Sequence, residues 1–244
     1  MIRDLQLAEI AMPLLIGAAA SAYYATYAVR SQWLGPTDWH GRTDTSSVAL
    51  TFDDGPSADT ELVLNVLRQY EVPATFFMLG RQVERHPNIA RRVAAEGHEI
   101  GNHSHSHRIY LYSGARVVQR EMQDAQEAII KTTGVAPRFS RPPCGVRTLV
   151  YFSVARQMNL RTVQWSVAGM DWKNLRASQI TREVLKNVRA GSIILLHDGD
   201  SAHRRDRMET VLALPLIIER LRGRGLNIVP LSELVGCKLK AGRT

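Results

Sequence analysis

The chain has 244 residues, 45% hydrophobic and 22% charged, which suits one large globular domain or two small ones and excludes dominant disorder. Its two cysteines, Cys144 and Cys237, are too few for a disulfide framework or a four-cysteine zinc site. Thirty-one Lys and Arg against 23 Asp and Glu leave a net charge of +8, which favours polyanions: nucleic acid, an anionic membrane face or an acidic wall polymer.

In residues 1–30 the charges of Arg3, Asp4, Glu9 and Arg30 cancel, so the body carries the whole excess. Ile10 to Val29 (IAMPLLIGAAASAYYATYAV) is uncharged and, at about 1.5 Å per residue, long enough to cross a hydrocarbon core of about 30 Å. Tyr23, Tyr24 and Tyr27 gather near one end as an interfacial belt would, and Ala20-Ser21-Ala22 has the form of a signal-cleavage site. Residues 1–30 are therefore expected to be a transmembrane anchor or a signal segment, with a buried soluble helix as the plainer alternative. The expected location is the cell membrane with an extracytoplasmic body, or secretion if the segment is cleaved. Residues 31–46 (SQWLGPTDWHGRTDTS) are polar, turn-rich and without period, and read as a linker before a domain over 47–244.

That domain alternates strands and helices. Strand candidates are Ser47–Phe52, Ala74–Leu79, Glu99–Gly101, Phe139–Ser140, Leu160–Trp165, Ser192–Leu196 and Leu226–Val229. Helices are expected over Thr60–Tyr70, from Pro87 to Gly97, over Ala115–Thr132 (closed by Gly134), Thr148–Met158, Ser178–Val188 and Met208–Arg222. About seven β–α alternations imply an α/β fold with a parallel sheet, and a distorted (β/α) barrel fits the count better than an open sheet. No G-x-G-x-x-G or G-x-x-x-x-G-K-[ST] follows the first strand, so nucleotide binding by those routes has no support.

In such folds reactive groups belong on the loops after the strands. Asp53-Asp54-Gly55-Pro56 follows the first strand, and Asn102-His103-Ser104-His105-Ser106-His107 follows the third. Arg141-Pro142-Pro143-Cys144-Gly145, Asp171-Trp172 and His197-Asp198 follow later ones. Any one of these could be a turn or an extended loop, but their recurrence at one rim asks for a common purpose. One carboxylate with two imidazoles binds zinc or a similar divalent ion and leaves positions open for water and substrate. His103 and His107, four apart, would share one face of a helical turn, with His105 pointing away. Of two adjacent carboxylates, one can ligate while the other serves as base for water on the metal.

Five ordered segments, Thr51-Phe52-Asp53-Asp54-Gly55-Pro56, His103-Ser-His-Ser-His107, Arg141-Pro-Pro-Cys-Gly145, Asp171-Trp172 and Leu195-Leu-His197, resemble the motifs of polysaccharide deacetylases. These are the NodB-homology domains of carbohydrate esterase family four, and the likeness runs from about Ser47 to Val235. The resemblance implies a metal triad of Asp54, His103 and His107, with Asp53 as base and Arg141 as its ionic partner. It implies His197 as general acid, poised by Asp171. Trp172 and Leu195 become walls of the substrate groove, and the backbone N–H of Cys144 an oxyanion donor. One divalent metal is expected, zinc first, with cobalt, nickel or manganese as alternatives.

Two positions depart from the family pattern. Ala168 stands where the usual Asp-x-x-Asp-Trp motif has its first acid, and Cys144 stands where an aromatic residue is frequent. The expected function is removal of acetyl groups from an N-acetylated, or O-acetylated, polysaccharide such as chitin oligomers or peptidoglycan. The alternatives are a catalytically silent carbohydrate-binding module on the same fold and a basic nucleic-acid-binding protein. Acetylated glycan and, through residues 1–30, membrane are the expected partners; nucleic acid is not, and a monomer is expected.

Overall fold

The computed structural model describes residues 2–202 and 205–236, with side chains from residue 12 onward. Parallel strands form its centre: β1 (Ser47–Asp53), β2 (Thr75–Met78), β3 (Glu99–Asn102), β4 (Phe139–Ser140), β5 (Arg161–Thr162), β6 (Val167–Ala168), β7 (Ile193–His197) and β8 (Asn227–Ile228). Their lateral order is β5-β4-β3-β2-β1-β7-β6, with β8 paired to the start of β1. The seven-strand path curls into a half-barrel, so the distorted α/β barrel expected from the β–α alternation is the fold. Among the described residues no ladder joins the end strands β5 and β6.

Alternation along the strands sorts their side chains between two cores, because successive residues point to opposite faces of a sheet. Val48, Leu50 and Phe52 of β1, Phe76 and Met78 of β2, and Ile194 and Leu196 of β7 face outward. There they meet α2 (Ala58–Gln69), α4 (Pro87–Ala95), α7 (Ala177–Asn187) and α8 (Met208–Gly223), through residues such as Leu64, Val93, Val184 and Leu214. Ala49, Phe77, Phe139 and Ile193 face the barrel interior, where Leu231 and Leu234 of the short helix α9 (Leu231–Leu234) join them. Burial on both faces explains why these strands read as continuous apolar runs.

Local signals set several boundaries. Ser57 caps α2 and forms a capping box with Thr60, while Asp59 and Glu61 place negative charge in the first turn. The helix α5 (Ala115–Thr133) stops at Gly134, whose φ of 74° is the left-handed conformation that glycine adopts without penalty. Between these elements lie α3 (Gly80–Arg85) and α6 (Leu149–Gln157).

Three differences from the sequence reading have physical causes. Leu160–Trp165 is not one strand: only Arg161 and Thr162 pair with β4, and Val163 bridges to Asp38. The chain then crosses the unpaired seam of the barrel, and Val167 and Ala168 pair with β7 on the opposite side. The short helices α3 and α9 have too few turns to show a period. His103 and His107 lie on no helical turn; both, with Ser104 between them, belong to the irregular loop after β3, where Ser104 and His107 have positive φ.

The membrane placement drawn from residues 1–30 is corrected. Those residues form the helix α1 (Ile2–Tyr27), but among the described residues no helix is long and apolar enough to cross a membrane. Gly17, Ser21 and three tyrosines dilute its apolarity, and its carboxyl end is occupied by the body. Ala25 is buried, the Arg147 backbone N–H donates to Thr26 O, and the Arg147 guanidinium donates to Ala28 O and Ser31 O. The following segment runs along the barrel, with bridges from Asp38 to Val163 and from His40 to Ser192.

Packing inside the barrel leaves no room at Gly101, where an added Cβ would stand 2.4 Å from the Phe77 ring. Gly101→Ala should therefore cost about 1–3 kcal/mol of stability, the usual penalty of overpacking. Urea unfolding measures it, and an unchanged midpoint would show that the Phe77 ring has space to move.

Candidate active site

The inward-facing row of β1 runs Ala49, Thr51, Asp53 and so ends in a carboxylate at the barrel mouth. The neighbouring strand delivers an imidazole to the same level, because Asp53 is in register with His197 of β7. Beneath them lies Arg141, just past β4 and 1% exposed. Its guanidinium donates to Asp53 Oδ1 at 2.6 Å, to Thr51 Oγ1 at 2.9 Å and to Gln164 O at 3.1 Å, and stacks 4.1 Å from the Phe77 ring centroid. Burial pulls the Arg141 guanidinium below its ordinary pKa, and the Asp53 carboxylate opposes that pull.

After Asp53 the chain turns sharply, with Asp54 at φ 75°. The turn is overlaid by Gly199, whose added Cβ would stand 2.4 Å from Asp54 O. It carries the Asp54 carboxylate to His103 and His107, whose Nε2 atoms lie 3.5 and 3.3 Å from Asp54 Oδ1. His103 Nδ1 is 2.7 Å from Arg141 O. A carbonyl only accepts, so Nδ1 carries the proton and the Nε2 lone pair faces Asp54. Glu121 of α5 winds the His103–His107 loop by accepting from Ser106 N and Ser106 Oγ, and Ser104 Oγ accepts from His107 N.

These three residues fit a divalent cation. Asp54 Oδ1 is buried and accepts no hydrogen bond among the described residues, which is costly for a carboxylate oxygen that has no ligand. One ligand atom from each of Asp54, His103 and His107 lies within 4.8 Å of the others, and a carboxylate with two imidazoles is a borderline-soft donor set. Burial favours a neutral Asp54, but the imidazole of His103 beside it and the charges of His107 and His197 hold it well below the usual carboxylate range. His103 rises despite its burial, drawn by Asp53 and Asp54, whereas burial dominates at His107 and lowers it.

Across the cleft stands a second pair. His197 Nδ1 lies 2.8 Å from Asp171 Oδ1, and the His197 backbone N–H donates to Asp171 Oδ2 at 2.7 Å. Burial opposes the imidazolium, yet Asp171, with Asp54 and Asp53 behind it, raises His197 to about 9. Burial likewise opposes ionised Asp171, and His197 with Arg207 holds it below its usual range. The Trp172 ring meets the His197 ring edge-on at 5.4 Å.

The cleft measures about 380 Å³ and is lined by eight residues singled out from the sequence: Asp53, Asp54, His103, His107, Cys144, Trp172, Leu195 and His197. Arg141 and Asp171 stand one layer behind. Cys144 sits at φ 54° with its thiol pushed up by burial and by Asp54 and Asp53, which suppresses the thiolate that oxidation requires. Ala168 of β6, in the place of the missing acid, leaves the Asp171–His197 pair intact.

Several site residues had no separate signal in the sequence. Thr51 looked like an ordinary β-strand threonine but supports Arg141. Asp198 is wholly buried, receives the Thr60 hydroxyl at 2.6 Å and is pushed up to about 7, by burial above all. Its carboxylate abuts Gly55, where an added Cβ would meet Oδ2 at 2.2 Å. Trp165, Ser201 and Arg207 also line the cleft; the last two bound a polar stretch after His197, of the kind that can touch substrate or be solvated. Elsewhere, His40 contacts Gly41 O, His98 accepts from Ala74 N and His105 faces Glu84, all outside the cleft. His203 and Cys237 lie outside the described residues.

An open parallel barrel that collects carboxylates, imidazoles and a buried guanidinium at its strand ends is laid out as a hydrolytic enzyme. Residues 40–163 match the family model described as polysaccharide deacetylase, and the chain belongs to that family. It is 38% identical over 195 residues to a peptidoglycan-N-acetylglucosamine deacetylase of Bacillus cereus, covering 80% of this chain and 70% of the relative. It is 39% identical over 199 residues to a chitooligosaccharide deacetylase of a Bradyrhizobium species, covering 78% of this chain and 91% of that one. The solved structure of the Bc1960 peptidoglycan N-acetylglucosamine deacetylase, bound to 4-naphthalen-1-yl-N-oxidanyl-benzamide, superposes with a TM-score of 0.79 at 37% identity. That match covers 83% of this chain and 94% of the other.

The Arg141–Asp53 pair is deeply buried, so removal of one partner should leave an uncompensated charge. Arg141→Met is expected to cost about 3–5 kcal/mol in urea unfolding, and adding Asp53→Leu should recover much of it. A loss under about 1 kcal/mol, the range of exposed pairs, would show that the barrel interior is wet.

Proposed function

We propose that the chain is a metal-dependent hydrolase that removes acetyl groups from N-acetylhexosamine units of an acetylated polysaccharide, peptidoglycan or chitin oligomers, through a catalytic domain over residues 47–244. One observation carries this reading: the Asp54 carboxylate oxygen with its two imidazoles shares a cleft with a histidine whose Nδ1 lies 2.8 Å from a buried carboxylate. Asp54, His103 and His107 would hold a divalent cation, for which zinc suits this donor set, and it would supply Lewis acidity toward water and the acetyl carbonyl.

The chain's own groups supply the proton transfers. Arg141 occupies Asp53 Oδ1 and leaves Oδ2, 3.7 Å from His103 Nε2, facing the metal-ligand cluster. From there Asp53 takes the proton of the attacking water. Asp171 engages His197 Nδ1, so Nε2 is the atom that gives a proton to the departing amine. The Cys144 backbone N–H supports the oxyanion, a role that does not depend on the side chain it carries. Trp172, 38% exposed, and Leu195 form walls against which a sugar ring can stack.

Adjacent carboxylates with different partners should separate on mutation. Asp53→Asn is expected to keep its metal in elemental analysis while losing on the order of 10²–10⁴ in acetate release from an acetylated chitin tetramer. Asp54→Asn and the His103→Ala, His107→Ala double variant should lose the metal itself, and a chelator should abolish activity of the unaltered chain. If Asp53→Asn loses metal and Asp54→Asn keeps it, the two roles are reversed.

A general acid with a raised pKa is active below that pKa and fails above it. The kcat of the unaltered chain should therefore fall as pH rises through about 9. Asp171→Asn removes the charge that favours the imidazolium and should move this falling limb to lower pH. A limb that stays in place in the variant would leave Asp171 as a structural residue.

A further inference from the structure

The Asp171 carboxylate engages both of its oxygens. Oδ1 faces the His197 ring, while Oδ2 accepts the His197 backbone N–H at 2.7 Å and the Thr210 hydroxyl at 2.9 Å. Thr210 is 1% exposed, lies in the first turn of α8, and must be the donor because a carboxylate only accepts. Arg207, the N-cap residue of α8, adds a second contact from the same helix end, its guanidinium donating to Asp171 O at 3.4 Å and to Gly199 O at 2.7 Å. The segment bearing Asp171 does not hold itself: it is a three-residue 3₁₀ turn flanked by Met170 and Asn174, both at positive φ.

We infer that Thr210 is a positioning residue for the Asp171–His197 pair, its hydroxyl fixing the plane of the Asp171 carboxylate so that Oδ1 stays aligned with His197 Nδ1. This rests on the proposed role of His197 as general acid. Rotation of the carboxylate about its last bond would break the bond to Nδ1 while leaving the charge where it is. Two donors on Oδ2, one from β7 and one from α8, oppose that rotation. The helix that packs against the outside of the barrel thereby reaches the proton donor without touching substrate.

The test uses the full chain with Thr210→Val, which keeps the shape and removes the hydroxyl, and Thr210→Ser, which keeps the hydroxyl. On the acetylated chitin tetramer, Thr210→Val should lower kcat about ten-fold, the scale of one hydrogen bond to a charged group, with KM nearly unchanged. Thr210→Ser should restore kcat. In an Asp171→Asn background, Thr210→Val should add no further loss, since the group it aligns is already altered. Unchanged kcat in Thr210→Val, no recovery in Thr210→Ser, or losses that multiply with Asp171→Asn would each overturn the inference. If Thr210→Val does not fold, Thr210→Ala removes the same hydroxyl with a residue that favours the helix.

A readout independent of turnover separates this from failure of the proposed function. The ring Nδ1 proton of His197 should give a protected NMR signal that weakens by solvent exchange in Thr210→Val and returns in Thr210→Ser. A kcat insensitive to His197→Ala would reject the general-acid role. An Nδ1 signal unchanged by Thr210→Val would reject the alignment.

Discussion

The arrangement of the cleft depends on one buried ion pair, Arg141 with Asp53. A guanidinium enclosed among Phe77, Trp165 and the strands of a barrel is tolerable only if its charge is matched and its donors are used. Asp53 and Thr51 from β1 and Gln164 O from the seam segment take its two terminal nitrogens, and Nε alone has no partner among the described residues. The pair therefore ties β1 to the loop after β4 and to the segment that crosses the open seam. It also leaves a single Asp53 oxygen for chemistry at the mouth.

Register carries the same constraint across the sheet. Asp53 and His197 share a level because β1 and β7 pair along five residues, from Ala49 with Ile193 to Asp53 with His197. A slip of one residue would turn His197 into the helix-facing core and Leu196 into the cleft, so the apolar pattern of β7 guards the position of its imidazole. Both carboxylate-bearing halves rest on the same attraction between carboxylate and imidazole. On one side Asp54 is held ionised by surrounding imidazoles; on the other Asp171 raises an imidazole by its own charge.

Most of the architecture was legible in the chain order. The buried strands β1, β2 and β7 and the amphipathic helices α2, α5 and α8 have long, regular patterns that few alternatives can satisfy. What was not legible lay where local pattern runs short. The stretch after Leu160 reads as one strand but is divided between two sheet edges, because the barrel leaves a seam there. The uncharged stretch of α1 satisfies a charge count, yet its alanine, glycine and tyrosine content and its docking beside Arg147 are not those of a span.

At the site, residue types and their placement after strands singled out Asp53, Asp54, His103, His107, Arg141, Asp171 and His197, since few other purposes assemble those groups at one rim. The sequence by itself determined the inventory of acids, bases and ligands and the kind of fold that would gather them. Only the tertiary structure decided which atoms face one another. It set the His103 tautomer through Arg141 O, left Asp54 Oδ1 without a partner, divided the two oxygens of Asp171, and brought Thr210 from a distant helix to one of them. Those choices depend on contacts between residues 26 to 39 positions apart, from His197 with Asp171 to Thr210 with Asp171, and separations of that size leave no periodic trace in a linear sequence.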